Sequence, residues 1–343
     1  MPNFPNYVKI CQDLLKDLSP RTKEVISRRF GLKKPWQRET LESIGQSHKI
    51  TRERIRQIED DGLLKIKEKT NQHQKAFDYL ASYLKKSGGL KREDLLLSQL
   101  GKKKFQSHIF FLLTIDNQFS RFTETEKLYP FWALSPQALN SVEKGINSLL
   151  EKLRENKEPL SLGALYKILP EKKSLNSQAF TSFVEISKEI EKGIDSFYGL
   201  KDWPEIRPRG LKDKAFLALK KEGKPLHFRE ITSVIDKLNF GGALSQGNKA
   251  LSQTVHNELI KDPRFVLVGR GIYALSAWGY TPGYVKDIIL KVLKEKGKPQ
   301  SKEEIVKEVL KQRLVKKSTI LLNLQNKKYF LKNPDNKYIP RLG

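Results

Sequence analysis

The chain of 343 residues is poor in the residue types on which covalent and metal chemistry most often rest. It has one cysteine, Cys11, which excludes an intramolecular disulfide and a cysteine-based zinc site. Its five histidines, His48, His73, His108, His227 and His256, form no His-x-x-x-His pair and no recurring metal-ligand spacing with carboxylates. There is no Gly-x-x-x-x-Gly-Lys-Ser/Thr loop and no Gly-x-Ser-x-Gly elbow. Gly241-Gly242-Ala243 with Gly247 is a loose glycine loop that follows no strand, so a phosphate cradle is not expected there. The adjacent acids Asp60-Asp61, Glu93-Asp94 and Glu303-Glu304 read as charge on solvent-facing helices. The expectation is a protein that is not an enzyme and uses no cofactor and no metal. No apolar run approaches the roughly 18–20 residues of a membrane span. Met1 to Lys16 lacks the ordered basic, apolar and small-residue zones of a signal peptide, so a cytoplasmic protein with no membrane partner is expected. Acid is scarce as well, with Asp+Glu 39 against Lys+Arg 65 and a net charge of +26. Such an excess attracts polyanions, because each phosphate contact releases condensed counterions. Nucleic acid is the first candidate partner and an anionic membrane surface the second. A basic soluble protein without either is the plain alternative.

What is present is enough for packed cores, at 38% hydrophobic and 9% aromatic residues, and long enough for two to five small domains. The pattern is helical, punctuated by Gly and Pro. From about Gln72 onward it repeats with a period of roughly 65 to 75 residues, too long for a solenoid repeat, so each copy should be a small domain. Each copy opens on a Leu- and Lys-rich amphipathic helix, such as that of Phe77, Leu80 and Leu84 or of Ile288, Ile289, Val292 and Leu293. A Gly or Pro turn, two further helices and a β-like stretch follow. Phe131-Trp132-Ala133-Leu134, Tyr198-Gly199-Leu200 and Tyr273-Ala274-Leu275 close three of the copies, and Lys337-Tyr338-Ile339-Pro340 closes the fourth. Three helices and a terminal hairpin make the winged-helix plan. The predicted fold is therefore mainly α: a helix-turn-helix domain over 1–71, then winged-helix modules with short β-hairpin wings over 72–137, 138–207, 208–282 and 283–343.

Within the first domain, Ser19-Pro20 reads as an N-cap with proline at the first helical position, and that helix stops at Gly31. A second helix begins near Thr40 with Leu41 and Ile44 inward. A third begins at Thr51 with Ile55, Ile58, Leu63, Leu64 and Ile66 inward. Gly45 can take a positive φ or permit close helix approach at the turn. Arg52, Arg56 and Glu59 recur at i, i+4 and i+7 on an outer face, with Glu53 and Gln57 beside them. Arginine can grip guanine O6/N7, glutamine can pair with adenine N6/N7, and glutamate can accept from cytosine N4. The bland alternative is a solvated helix face with i, i+4 ion pairs.

The run Leu18-Ser19-Pro20-Arg21, Val25-Ile26, Arg29-Phe30-Gly31-Leu32, Thr40 to Gly45 and Thr51-Arg52-Glu53-Arg54-Ile55-Arg56-Gln57-Ile58-Glu59 resembles the fourth conserved region of primary bacterial sigma factors over about residues 14–69. The resemblance implies recognition of a promoter −35 element in double-stranded DNA and contact with the β flap of RNA polymerase core. It assigns base readout to Arg52, Glu53, Arg56 and Gln57, and backbone contacts to Thr40, Lys49, Thr51 and Arg54. Two features depart from the family. Only some 17 residues precede the motif, so promoter opening by this chain alone is not expected. Lys33-Lys34-Pro35-Trp36-Gln37-Arg38 stands where the family often carries glycine and acids, and would alter the polymerase-facing surface.

A second stretch, about 208–280, runs through Gly223-Lys224-Pro225-Leu226-His227-Phe228-Arg229-Glu230-Ile231 to Phe265-Val266-Leu267-Val268-Gly269-Arg270-Gly271-Ile272-Tyr273-Ala274-Leu275. It is similar to the HARE helix-turn-helix, the winged helix also found in the delta subunit of bacterial RNA polymerase. That plan would present Asn248, Lys249, Gln253 and Asn257 on the third helix and Arg270 at the wing tip, toward DNA or a protein partner. In the last module Lys311, Arg313, Lys316, Lys317, Lys327 and Lys328 cluster around Ser318-Thr319, where phosphate contacts are expected. The Glu-rich 138–207 module suits spacing or protein binding. The leading expectation is a sequence-specific transcription regulator or sigma-like factor. The alternatives are a polymerase-binding adaptor with little DNA readout, a nonspecific nucleoid-like binder and, least favoured, a nuclease accessory chain.

Overall fold

A computed structural model of the chain describes residues 5–169, 176–193, 195–238 and 250–341. It is mainly helical with small antiparallel sheets, and it divides into two compact units, Met1–Asp202 and Trp203–Gly343.

The first unit begins with α1 (Tyr7–Leu14), α2 (Pro20–Phe30), α3 (Leu41–His48) and α4 (Arg52–Lys67). Next come α5 (Gln74–Lys86), β1 (Leu90–Arg92), α6 (Glu93–Leu100), α7 (Gln106–Ile115), β2 (Ser120–Phe122) and β3 (Phe131–Ala133). It closes with α8 (Ala138–Asn156), α9 (Leu162–Lys167), α10 (Ser177–Val184), β4 (Ile190–Lys192) and β5 (Tyr198–Leu200). The second unit holds α11 (Gly210–Glu222), β6 (Leu226–His227), α12 (Phe228–Leu238), α13 (Ser252–Lys261), β7 (Phe265–Gly269) and β8 (Ile272–Leu275). After these run α14 (Val285–Lys296), α15 (Lys302–Gln312), α16 (Lys317–Leu324), β9 (Phe330–Lys332) and β10 (Tyr338–Pro340).

From α5 onward one order recurs: helix, extended segment, helix, helix, strand, strand. The extended segment after the first helix is an addition to the sequence reading. In two copies it is a full strand, giving sheets ordered β1-β3-β2 and β6-β8-β7. In the other two it shrinks to a bridge, Leu160 with Tyr198 and Gln300 with Tyr338. Two or three residues are too few for an alternating pattern to register. The turn before β1 is set by Gly88 and Gly89, both at φ +82°. A Cβ on Gly88 would also lie 2.6 Å from the Cβ of Ala179 on α10.

The third helix of a winged helix normally faces its ligand, but two of the four here are committed to packing. In α7, eight of ten residues are buried. It shares one core with α1, α2 and α4: Phe111 stands edge-on to Phe30 at 5.1 Å, and Ile66, Leu14, Cys11 and Trp132 belong to the same cluster. Burial pushes the Cys11 thiol pKa up. The Lys33–Arg38 segment packs onto the same helix, with Trp36 5.2 Å from the His108 ring and the Arg38 guanidinium 3.5 Å above Phe110. Helix α10 lies against β1. There the ammonium of Lys91, 6% exposed, donates to Glu185 at 2.7 Å and to Ser182 at 3.2 Å. Tyr129 N–H donates to the Ile186 carbonyl at 2.9 Å across the same contact. α13 and α16, by contrast, each bury one stripe and leave the other face open.

Candidate nucleic-acid interface

The helix-turn-helix is built from caps and one small core. Thr40 accepts from Ser43 N–H at 3.1 Å and Thr51 accepts from Arg54 N–H at 3.2 Å, satisfying a donor at the start of α3 and of α4. Both hydroxyls assigned to the DNA backbone therefore also serve as helix caps. Val25, Ile44 and Ile55 are fully buried between α2, α3 and α4, with Leu41, Ile50 and Ile58 around them. The left-handed residue of the turn is Lys49, at φ 55°, not Gly45. Gly45 supplies the close approach: a Cβ there would sit 2.8 Å from the Ile50 carbonyl oxygen. That atom is backbone and cannot move aside cheaply. Gly45→Ala is expected to destabilise the domain by about 1–3 kcal/mol, the usual cost of overpacking, read as a lowered unfolding midpoint.

Arg52, Glu53, Arg54, Arg56 and Gln57 are all exposed on α4. Arg56 lies between two carboxylates, donating to Glu53 at 2.7 Å and to Asp60 at 2.6 Å. The bond to Glu53 lowers the Glu53 pKa and raises that of Arg56. Arg54 donates to Gln57 Oε1 at 3.0 Å. The assigned readout residues thus all face solvent, and Arg56 is held between two carboxylates.

Glu59 departs from the expected outer face. It is 9% exposed, and Arg29 of α2 donates to it at 3.3 Å. Burial outweighs that arginine, and the Glu59 pKa is raised. Helical period alone groups residues 52 and 59, but α2 crosses α4 below its first turns. A Cβ on Gly62 would lie 2.6 Å from Ile26 and Thr22. Leu64 departs in the opposite sense, being 64% exposed where an inward position was expected.

A second set of residues escaped the sequence reading. Arg28 makes a bidentate pair with Glu39, at 2.9 and 2.7 Å, and donates to Ser47 of α3 at 2.6 Å. Glu39 also accepts from Ser43 at 3.2 Å. This network ties α2 to the start and end of α3. Its only sequence signal is an acid just before the Thr40 cap facing a helix that ends in two arginines. Glu93, read as solvent-facing, is in fact mostly covered and accepts from Arg121 at 2.6 Å and Trp132 at 3.0 Å.

With that geometry, two regions match known domain families. Residues 14–68 match the family described as Sigma-70, region 4. Residues 209–278 match the HARE-HTH family, a helix-turn-helix domain whose description includes restriction endonucleases. The chain carries a sigma-70 region 4 domain and a HARE-HTH domain. The first resembles RNA polymerase principal sigma factor HrdD of Streptomyces coelicolor, 47% identical over 55 residues, which is 16% of either chain. It also resembles RNA polymerase sigma factor SigA of Microcystis aeruginosa, 46% over 56 residues, 16% of this chain and 13% of that one. A third relative is RNA polymerase sigma factor RpoD of Neisseria gonorrhoeae, 37% over 76 residues, 22% of this chain and 11% of that one. The chain therefore spans about a sixth or less of the length of these curated relatives.

In the HARE-HTH domain Gln253 and Asn257 are exposed on α13, and Gln253 donates to Asn257 at 3.2 Å. Arg270 is exposed in the turn between β7 and β8. Asn248, Lys249 and the Gly241–Gly247 loop lie outside the described residues. In the last module Lys316, Lys317 and Ser318 are exposed and Thr319 is half-buried. Arg313 departs from the expected phosphate cluster: it is 3% exposed, and its guanidinium donates to the carbonyls of Gln312, Thr281 and Gly283. Lys311 pairs with Glu308 at 2.9 Å. Among the described residues no group of three His, Cys, Asp or Glu is placed to hold a metal, and no helix is long and apolar enough to cross a membrane.

Proposed function

We propose that the chain is a sequence-specific, non-enzymatic DNA-binding protein of transcription. Helix α4 of its sigma-70 region 4 domain lies in the major groove of a promoter element of the −35 type. The observation that carries this reading is the open face of α4, where Arg52, Glu53, Arg56 and Gln57 all reach solvent from a capped helix-turn-helix. These side chains can read guanine, cytosine and adenine edges, while Arg54 and Lys49 meet phosphates. The charge of +26 supplies the sequence-independent part of the affinity. The sigma factor relatives support a further part of the reading, that the chain works on RNA polymerase core, through the β flap, in the cytoplasm.

Selection of binding sites from random duplex DNA by the full chain, at fixed salt, tests the proposal. Enrichment of one short motif is the expected result. Equal recovery of all duplexes would reduce the protein to a nonspecific binder. A pull-down of core polymerase in the presence of nuclease tests the second partner separately: retention is expected, and loss confines the protein to DNA.

A further inference from the structure

The two modules of the second unit are joined through the wing of the HARE-HTH domain. Leu314, in the turn between α15 and α16, donates its N–H to the Val268 carbonyl on β7 at 2.7 Å. Gly269 backs directly onto the same residue, where a Cβ would lie 2.6 Å from the Leu314 carbonyl oxygen. Beside this contact the buried Arg313 guanidinium binds Thr281 and Gly283 carbonyls at 2.6 and 2.8 Å, and Gln312 accepts from Thr281 N–H at 3.0 Å. The turn of the last helix-turn-helix is thereby fastened to the edge of the wing and to the segment joining the two modules. Arg270 follows Gly269 at the wing tip. Lys316 lies two residues beyond Leu314, and Lys317 opens α16. The fastening thus brings the wing tip of one module and the start of the third helix of the next to the same junction.

We propose that this junction is one composite surface for the phosphate backbone of duplex DNA, spanning two modules. It rests on the reading of the chain as a DNA-binding protein and adds a second, sequence-independent grip. Arg270, Lys316 and Lys317 are exposed, and among the described residues none has a carboxylate partner, whereas Arg56, Arg264 and Lys311 all do. Residues 283–343 hold sixteen Lys and Arg against six Asp and Glu, so the surrounding field reinforces the patch. An unpaired cation on a surface with that excess gains most from phosphate, since counterions are released with no ion pair to break first. Fastened modules also present the charges at fixed spacing, which reduces the ordering cost of binding.

The test uses the full chain on a duplex carrying its selected site, with affinity followed across a salt series. Arg270→Ala/Lys316→Ala/Lys317→Ala is compared with the unaltered protein. Lys85→Ala/Lys86→Ala/Lys144→Ala, on exposed lysines of the first unit, is the charge-matched control. Three lost phosphate contacts should make the slope of log affinity against log salt shallower by about 2.7, with site preference and melting temperature unchanged and the control near the unaltered slope. A triple variant that matches the unaltered protein or the control overturns the proposal. So does one that keeps its slope while losing binding to an acidic protein surface. Failure here is separable from failure of base readout. If Arg56→Ala/Gln57→Ala erases preference but the slope stays sensitive to the triple change, the composite surface stands. If the unaltered chain binds no duplex, both readings fall.

Discussion

Full-length protein carrying Arg56→Ala with Gln57→Ala is expected to bind its selected site and a scrambled duplex almost equally. Each bidentate contact from arginine to guanine or glutamine to adenine is worth about 1–3 kcal/mol, roughly five- to a hundred-and-fiftyfold in discrimination, so losing both removes most of the preference. Overall affinity should also fall, for a reason particular to this helix. Arg56 neutralises Glu53 and Asp60, and its removal leaves two exposed carboxylates facing the phosphates. Asp60→Asn should act in the opposite direction and raise affinity for all duplexes alike. Competition binding with matched and scrambled duplexes at constant salt reads both effects. Preference that survives the double change would show that α4 does not read base edges.

Phe111→Ala should produce the largest loss of stability. The ring is fully buried in the core shared by α1, α2, α4 and α7, edge-on to Phe30. Truncating a buried phenylalanine costs about 3–5 kcal/mol through lost transfer energy and the cavity left behind. In a unit of this size that lowers the melting temperature by roughly 6–20 °C. Because the core joins the sigma-70 region 4 domain to the winged helix after it, both should lose cooperativity together in calorimetry. A change near that of a surface substitution would mean that the two pack as separate bodies.

How much of this was legible in the sequence differs from element to element. The starts of α2, α3 and α4 were, because Ser19, Thr40 and Thr51 cap them through bonds to residues three positions on. The β7–β8 wing was as well, since Gly269-Arg270-Gly271 between apolar runs specifies a tight turn. β1, β6 and the bridges at Leu160 and Gln300 were not, because strands this short become strands only when a distant partner arrives. Arg313 looked like one more exposed cation. Nothing local marks the carbonyls of Thr281 and Gly283 as its partners, some thirty residues upstream.

Local chemistry alone determined the helix-turn-helix, its outward arginines and glutamine, the recurring helical modules and the strong positive charge. Those properties follow from caps, period and composition, which act over a few residues or over the chain as a whole. Only the tertiary structure decided that α7 and α10 are spent on packing, that Glu59 and Arg313 are buried, and that the turn before α16 is fastened through Leu314 to β7 at Val268 and Gly269. Each of these depends on which surfaces cover one another, and burial is a property of two surfaces that no single stretch of sequence contains.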